Sequence, residues 1–288
     1  MFYQSIRIQI AIITKLINNT KFKIDKGDHL LDTHTHILWN IDDGSKNQCM
    51  SLQMLEIAAR SGTKAIFATP HVIERANKPS WEEIKEKTQQ LRQLCAEAQI
   101  DIMLYPGAEV QMNWELLPEL GATGAYCLNG GRYLLIELPA AEIPAYADEF
   151  WYELELKGIT PILAHPERYQ QLRENPDLLL LWRRRGMLMQ CNSGSFTGMF
   201  GSSVCENAKV LLANGLVDLL GSDGHRSEGR NTDMSRAAAV IRQLAGEEVL
   251  RQPAGDFKKS GNRAQAAQST FRRQTKELLA EALWQIIN

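Results

Sequence analysis

Short apolar runs punctuate this chain, and longer amphipathic stretches fill the gaps between them. The runs cover residues 30–33, 65–69, 102–105, 133–138, 160–164, 187–191 and 217–221. Their length is that of strands, and the alternation with helical segments predicts βαβ units and a parallel sheet. Residues 46–60 predict a helix with Ser45 as N-cap and Gly62 as its stop. Residues 81–98 predict a second, opened by the capping box Ser80 to Glu83. Residues 176–185 predict a third, with Asn175 as N-cap, Pro176 in the first turn and Gly186 after the end. The expectation is seven strands with a helix after most of them, and no internal repeat.

The termini fall outside this rhythm. Residues 6–17 are apolar-rich but interrupted by Arg7, Gln9 and Lys15, and they are too short to span a bilayer, which takes about 20 apolar residues. No small-residue cleavage site separates them from Asn18-Asn19-Thr20-Lys21, so a signal peptide is not expected either. The division expected is an extension at 1–28, one domain at 29–247, and a polar linker with an amphipathic helix (276–287) at 248–288. A segment docking on a membrane surface or a partner is the rival reading of 6–17.

Composition changes this picture little. With 288 residues, 44% hydrophobic and 23% charged, the chain matches ordinary globular domains and excludes disordered, collagen-like and coiled-coil classes. A net charge of −2 argues against nucleic acid as a partner. The Arg183-Arg184-Arg185 run closes a predicted helix, where cations suit the dipole. Five cysteines without a C-x-x-C pair suggest free thiols in a reducing compartment, hence a cytoplasmic protein with no integral membrane segment.

The chemistry stands at the C-terminal ends of the runs. His34 and His36 follow the first, His71 the second, Glu109 the third and His165 the fifth. Glu137 lies near the end of the fourth, Asn192 follows the sixth, and Asp223 and His225 follow the seventh. Five of the six histidines occupy such positions; His29 does not and is taken as an ordinary hydrogen-bonding residue. In a β/α barrel these ends converge on one face, where sites are built. Residues two apart on a strand share a side, so His34 with His36, and Asp223 with His225 if the strand continues that far, can each present a pair to one ion. A single histidine at a strand end is an ordinary turn residue; its recurrence with carboxylates around the sheet points to metal. Imidazole and carboxylate without cysteine suit catalytic Zn, Mn or Fe, and so many ligands suit two or three ions.

Taken in order, Asp32-Thr-His-Thr-His36, Asp42-Asp43-Gly44, Thr69-Pro-His71, Tyr105-Pro-Gly-Ala-Glu109, Leu135-Ile-Glu-Leu138, Ala164-His-Pro-Glu-Arg168 and Gly221-Ser-Asp-Gly-His225 form one set. That set resembles the PHP (polymerase and histidinol phosphatase) superfamily. Within it, the set is most similar to the manganese-dependent bacterial protein-tyrosine phosphatases of capsule and exopolysaccharide operons. The resemblance covers about residues 29–245. It implies a distorted seven-stranded (β/α)7 TIM-like barrel with a cluster of Mn2+ ions, Fe or Zn being alternatives. By motif position it implies ligand roles for His34, His36, Asp43, His71, Glu109, Glu137, His165, Asp223 and His225. Arg168 and Arg230 match phosphate-binding arginines, with Arg226 as a substitute for Arg230, and the implied partner is a phosphorylated bacterial tyrosine kinase.

The implied reaction is chemically coherent. A phosphotyrosine monoester is a dianion, so cations must draw it in, and the planar guanidinium fork matches phosphate oxygens. A phenolate leaves with less protonation than an alkoxide needs; should protonation be required, Asp43 or His71 is the candidate acid. Arg168 has a rival reading as an ion-pair partner of Glu167. A cysteine phosphatase needs Arg six residues after its nucleophile, and the residues six after Cys49, Cys95, Cys127, Cys191 and Cys205 are Leu55, Asp101, Tyr133, Thr197 and Leu211. The cysteines are read as small core hydrophobes. The competing functions are a small-molecule phosphatase of histidinol-phosphate type and a non-catalytic module that only binds metal.

Because 1–27 carries no candidate ligand, a protein starting at Asp28 is expected to fold, to bind its metals and to keep its activity. Aggregation or an earlier melt of the truncated protein would assign residues 8–13 to the fold; retained activity with loss of membrane association would favour the docking reading.

Overall fold

This computed structural model describes residues 30–120, 124–140 and 142–247. The expectations for 1–28, His29, the segment after 247 and the helix at 276–287 lie outside the described residues. Among the described residues nine strands occur: β1 Leu30–Thr35, β2 Thr63–Ala68, β3 His71–Val72, β4 Met103–Pro106, β5 Glu109–Gln111, β6 Tyr133–Glu137, β7 Thr160–Ala164, β8 Leu188–Asn192 and β9 Leu219–Gly221. The α-helices are α1 Gln48–Arg60, α2 Trp81–Glu97, α3 Ala147–Leu156, α4 Gln170–Glu174, α5 Asp177–Arg184, α6 Ser193–Phe196, α7 Ser202–Ala213 and α8 Ser235–Glu247. Every strand pairing is parallel, in a sheet ordered β1-β2-β4 and a second ordered β3-β5-β6-β7-β8-β9.

Nine strands stand where seven runs are expected, because one short strand follows β2 and another follows β4. Only Thr69 and Pro70 separate β2 from β3, and only Gly107 and Ala108 separate β4 from β5. Proline has no N–H to give a ladder, and at Gly107 a Cβ would meet Leu128 Cδ2 at 2.7 Å. The backbone still binds across both breaks, Gly107 N donating to Ala68 O at 2.9 Å and Glu109 N to Pro70 O at 3.0 Å. At the far edge, Asp223 N donates to His34 O at 2.7 Å and His36 N to Gly224 O at 3.0 Å, so the last strand returns to the first. The result is an α/β fold of parallel strands in a curled sheet.

Alternation along the strands sorts the side chains into two layers. Leu31, Ala65, Phe67, Tyr133, Leu135, Ile162, Ala164, Leu188 and Leu219 pack on one another inside the curl. Ile66, Ala68, Leu104, Leu134, Ile136, Leu163, Met189 and Cys191 join the helices outside it. Both faces are therefore buried, which is why the strands read as apolar runs. Following the inner parity toward the C-terminal ends gives Glu137 after Tyr133 and Leu135, Gln190 and Asn192 after Leu188, and Gly221 and Asp223 after Leu219. In β1 a register shift between Asp32 and Thr35 interrupts that parity. The shift brings His34 and His36 to the inside.

The helix ends differ from expectation in two places. In α1 the cap is Asn47, whose side chain accepts from Met50 N at 2.9 Å, while the Ser45 hydroxyl bonds Asn47 O and Ser51 Oγ instead. In α5 Pro176 is the capping position and Asn175 is not. Ser80 caps α2 as expected, accepting from Glu83 N at 3.1 Å. Arg183, in the last turn of α5, pairs with the carboxylate of Asp218 rather than facing solvent. All five cysteines are free. Among the described residues no helix is long and apolar enough to cross a membrane.

Gly221 marks the closest approach of β9 to β1. A Cβ there would lie 2.5 Å from His34 Cβ, 2.7 Å from Gln190 Nε2 and 3.1 Å from His34 N. Gly221→Ala should cost about 1–3 kcal/mol as an overpacked core does. At this domain size that lowers Tm by roughly 2–4 °C per kcal/mol. An unchanged melting temperature would show that β9 is free to retreat from β1.

Candidate functional site

The strand ends, with the turn that carries Asp43, bring all nine predicted ligand residues into one pocket. Glu109, fully buried at the start of β5, is its centre: Oε2 lies 3.0 Å from His34 Nε2, 3.2 Å from His36 Nε2 and 3.1 Å from His71 Nδ1. Its Oε1 lies 2.9 Å from His165 Nε2. Asp223 Oδ1 stands 3.5 Å from His34 Nε2 and 3.4 Å from His36 Nε2. Glu137 Oε1 is 3.4 Å from His71 Nδ1, and Asp43 Oδ1 is 3.3 Å from His225 Nε2. Four overlapping groups have ligand atoms within 4.8 Å of one another: His36, Asp43, His71 and His225; His34, His36 and Asp223; His34, Glu109 and His165; His71, Glu109 and Glu137.

Local backbone conformation aims two of these groups. His165 and Asp223 adopt left-handed conformations, φ 37° and 53°, at the exits of β7 and β9. Such conformations cost about 1–3 kcal/mol and cluster at functional sites. The Asp42-Asp43-Gly44 turn packs against β1: a Cβ on Gly44 would lie 2.1 Å from His36 O. Only glycine fits there.

Two residues with no role assigned from sequence hold the imidazoles in place. Asp42 Oδ2 accepts from His36 Nδ1 at 2.7 Å and from His71 N at 2.9 Å. Gln190 Oε1 accepts from His34 Nδ1 at 3.0 Å. With Nδ1 committed to these acceptors, both rings turn Nε2 toward Glu109 and Asp223. A carboxylate or amide behind the ring is how ligating histidines are held. Asp42 lies inside a quoted motif, and Gln190 shares a strand face with Asn192; those were the available signals.

The donor chemistry fits divalent cations. Glu109 Oε2, Asp223 Oδ1 and His71 Nδ1 are buried and make no hydrogen bond. Burial would raise Glu109 and Asp223, but His34 and the neighbouring imidazoles, with Arg230 also beside Asp223, hold both well below the usual carboxylate range. His34 and His36 are raised despite burial, by Glu109 and Asp223 for one and by Asp42 for the other. Glu137 is pushed up to about 9 by burial and by Glu109 beside it. So much converging carboxylate needs positive charge, and divalent ions replace those protons when bound.

The arginines lie on the other side of Asp223. Arg168 Nη1 donates to Asp223 Oδ2 at 3.0 Å, and Arg230 Nη2 pairs with the same oxygen. Arg168 is thus not the partner of Glu167. That buried carboxylate accepts from Asn192 N at 2.9 Å and from Ser195 Oγ at 2.6 Å. Arg226 Nη1 donates to the carbonyls of Asp43, Gly44 and His225, at 2.5, 2.8 and 3.0 Å, tying that turn to the β9 exit.

Comparison with known proteins places this geometry. The profile of the family described as "Capsular polysaccharide synthesis, CpsB/CapC" matches residues 30–254. The tyrosine-protein phosphatase YwqE of Bacillus subtilis is 34% identical over 220 residues, which are 76% of this chain and 87% of that protein. The tyrosine-protein phosphatase CpsB of Streptococcus pneumoniae is 28% identical over 222 residues, 75% of this chain and 91% of that one. A solved structure from work on YwqE and CpsB, described as unique metal-dependent tyrosine phosphatases, matches with a TM-score of 0.71 and 33% identity. It covers 76% of this chain and 89% of its own. The chain belongs to the CpsB/CapC family.

Proposed function

We propose that this chain is a metal-dependent protein-tyrosine phosphatase, acting in the cytoplasm on a phosphorylated tyrosine kinase that controls capsule or exopolysaccharide synthesis. The nine strands are read as seven strand paths of a distorted barrel, two of them broken. The observation that carries the proposal is the double use of Asp223. One oxygen faces the imidazoles of His34 and His36; the other holds Arg168 and Arg230. A cation-binding pocket and a pair of guanidinium groups thus meet at one buried carboxylate.

His34, His36, Asp43, His71, Glu109, Glu137, His165, Asp223 and His225 would hold two or three divalent ions, Mn2+ first and Fe or Zn as alternatives. Divalent ions held there would supply positive charge to the phosphoryl oxygens and would lower the pKa of a water toward neutrality. The chain's own residues do the rest. Arg168 and Arg230 each spend one edge on Asp223 and offer the remaining N–H groups to a phosphate dianion. Asp42 and Gln190 keep the His36 and His34 rings from rotating. Arg226 fixes the turn that carries Asp43. The relatives named as tyrosine phosphatases support phosphotyrosine as the substrate.

Chelation should abolish phosphotyrosine-peptide hydrolysis, and Mn2+ should restore it. Histidinol phosphate, assayed in parallel, should turn over more slowly. Full activity in a chelated sample without metal by elemental analysis would sink the metal reading; bound metal without turnover of either ester would leave a binding module.

Arg168→Ala should lower kcat by ~10²-fold, the scale of losing a charged donor that acts in the transition state. Metal content should stay intact. Near-normal turnover would make Arg168 only a structural partner of Asp223.

A further inference from the structure

Between α6 and α7 the chain makes a tight turn, Thr197 to Gly201, that none of the preceding chemistry uses. Two glycines in left-handed conformations bracket it, Gly198 at φ 83° and Gly201 at φ 92°. Met199 N donates back to Gly194 O at 3.0 Å, and Gly201 N to Gly198 O at 3.1 Å. A Cβ on Gly194 would lie 3.1 Å from Phe200 Cε2 and 2.8 Å from Met199 Sδ, so the turn sits directly on α6. The α6 helix is itself anchored, because Glu167 accepts from Asn192 N and Ser195 Oγ. Phe200 is therefore held against α6, half-buried, and its ring faces two guanidinium groups. The Arg168 guanidinium carbon stands 4.7 Å from the centre of its ring, and that of Arg230 stands 5.6 Å from it.

Two guanidinium groups on one carboxylate oxygen repel each other. Asp223 carries a single negative charge and is already shared with Asn192 Nδ2, 2.6 Å from the same oxygen. The negative face of an aromatic ring attracts cations without adding net charge or competing for their N–H groups. It also restrains two long side chains that would otherwise lose conformational freedom only when the ligand arrives. Arg230 Nε has no hydrogen-bond partner, leaving a donor over after Asp223 and the ring are satisfied.

We propose that Phe200 is a positioning residue whose ring holds Arg168 and Arg230 together, so that a phosphate dianion meets two guanidinium groups already gathered. The proposal rests on the phosphatase reading only for its consequence in turnover; the gathering itself shows in phosphate binding.

The test uses the full-length, metal-loaded protein with Phe200→Leu and Phe200→Tyr. Leucine should weaken inorganic phosphate binding, by calorimetry, and lower kcat/KM on a phosphotyrosine peptide, each by about tenfold, the upper range for cation–π contacts. Metal content should be unchanged, and tyrosine should restore both values to within about threefold, since the ring is kept. In an Arg168→Ala background Phe200→Leu should cost less than in the native protein, because the two residues act as one unit. Equal costs in both backgrounds, or native phosphate affinity in Phe200→Leu, would overturn the proposal. Should Phe200→Leu melt early, Phe200→Met, similar in bulk and non-aromatic, carries the same comparison. A native protein that binds phosphate but does not cleave the peptide would fail the phosphatase reading and leave the binding comparison to decide the role of Phe200.

Discussion

Burying a carboxylate costs several kcal/mol unless cations and donors replace its lost hydration, and at Asp223 that requirement organises the pocket. The residue is buried and leaves β9 in a left-handed conformation. Arg168, Arg230 and Asn192 converge on its Oδ2. Its Oδ1 makes no hydrogen bond and faces His34 and His36. Losing the arginines would leave an uncompensated buried charge, and losing the carboxylate would leave two unbalanced cations. Stability and chemistry are tied at this one residue.

The curl of the sheet supplies the convergence. Parallel strands place all their C-terminal ends on one side, and burial on both faces fixes which side chains turn inward. Tyr133, Leu135 and Glu137 share a face, as do Leu188, Gln190 and Asn192, and the change from apolar to polar along each strand marks where core becomes pocket. Gly221 keeps β9 close enough to β1 for Asp223 N to bond His34 O. The site therefore depends on the same inter-strand contacts that close the core. Local rearrangement at β9 would move His34 and Asp223 together.

Much of this was legible in the sequence, because hydrophobic period reports which face a residue occupies and run length reports its element. Each predicted run contains or overlaps a strand, and the nine residues singled out at or after the strand ends do meet. What period cannot report is distance. Nothing in the spacing says that Pro70 and Gly107 break two strands, or that β1 shifts register before His34. Of the adjacent pair Asp42 and Asp43, the first turns to His36 and the second toward His225; side-chain identity is the same and only the turn geometry separates them. Glu167 and Arg168 are neighbours that part in the same way. The turn Pro166–Arg168, entered through a left-handed His165, sends one to the base of α6 and the other to Asp223. Phe200 carries no signal in the sequence, because cation–π contacts leave no periodic trace.

The same pocket bears on which phosphate ester suits the proposed reaction. Departure of an alkoxide needs a proton from a general acid, whereas a phenol has a pKa near 10 and leaves with less help. The two candidate acids are poorly equipped to give one. Asp43, hydrogen-bonded to His225, is held below the usual carboxylate range, so it is ionised at neutral pH. His71 is lowered to about 4 by burial and by His36, so its ring is neutral there. Serving as ligands would change nothing in this respect, since the lone pair that binds a cation cannot also carry a transferable proton. Glu137 does hold its proton to about 9, but its Oε1 lies against His71 and it would give that proton up on ligating a cation. With neither Asp43 nor His71 holding a proton to give, an aryl oxide departs more readily than an alkyl one, which favours tyrosine over an alcohol such as histidinol as the group released.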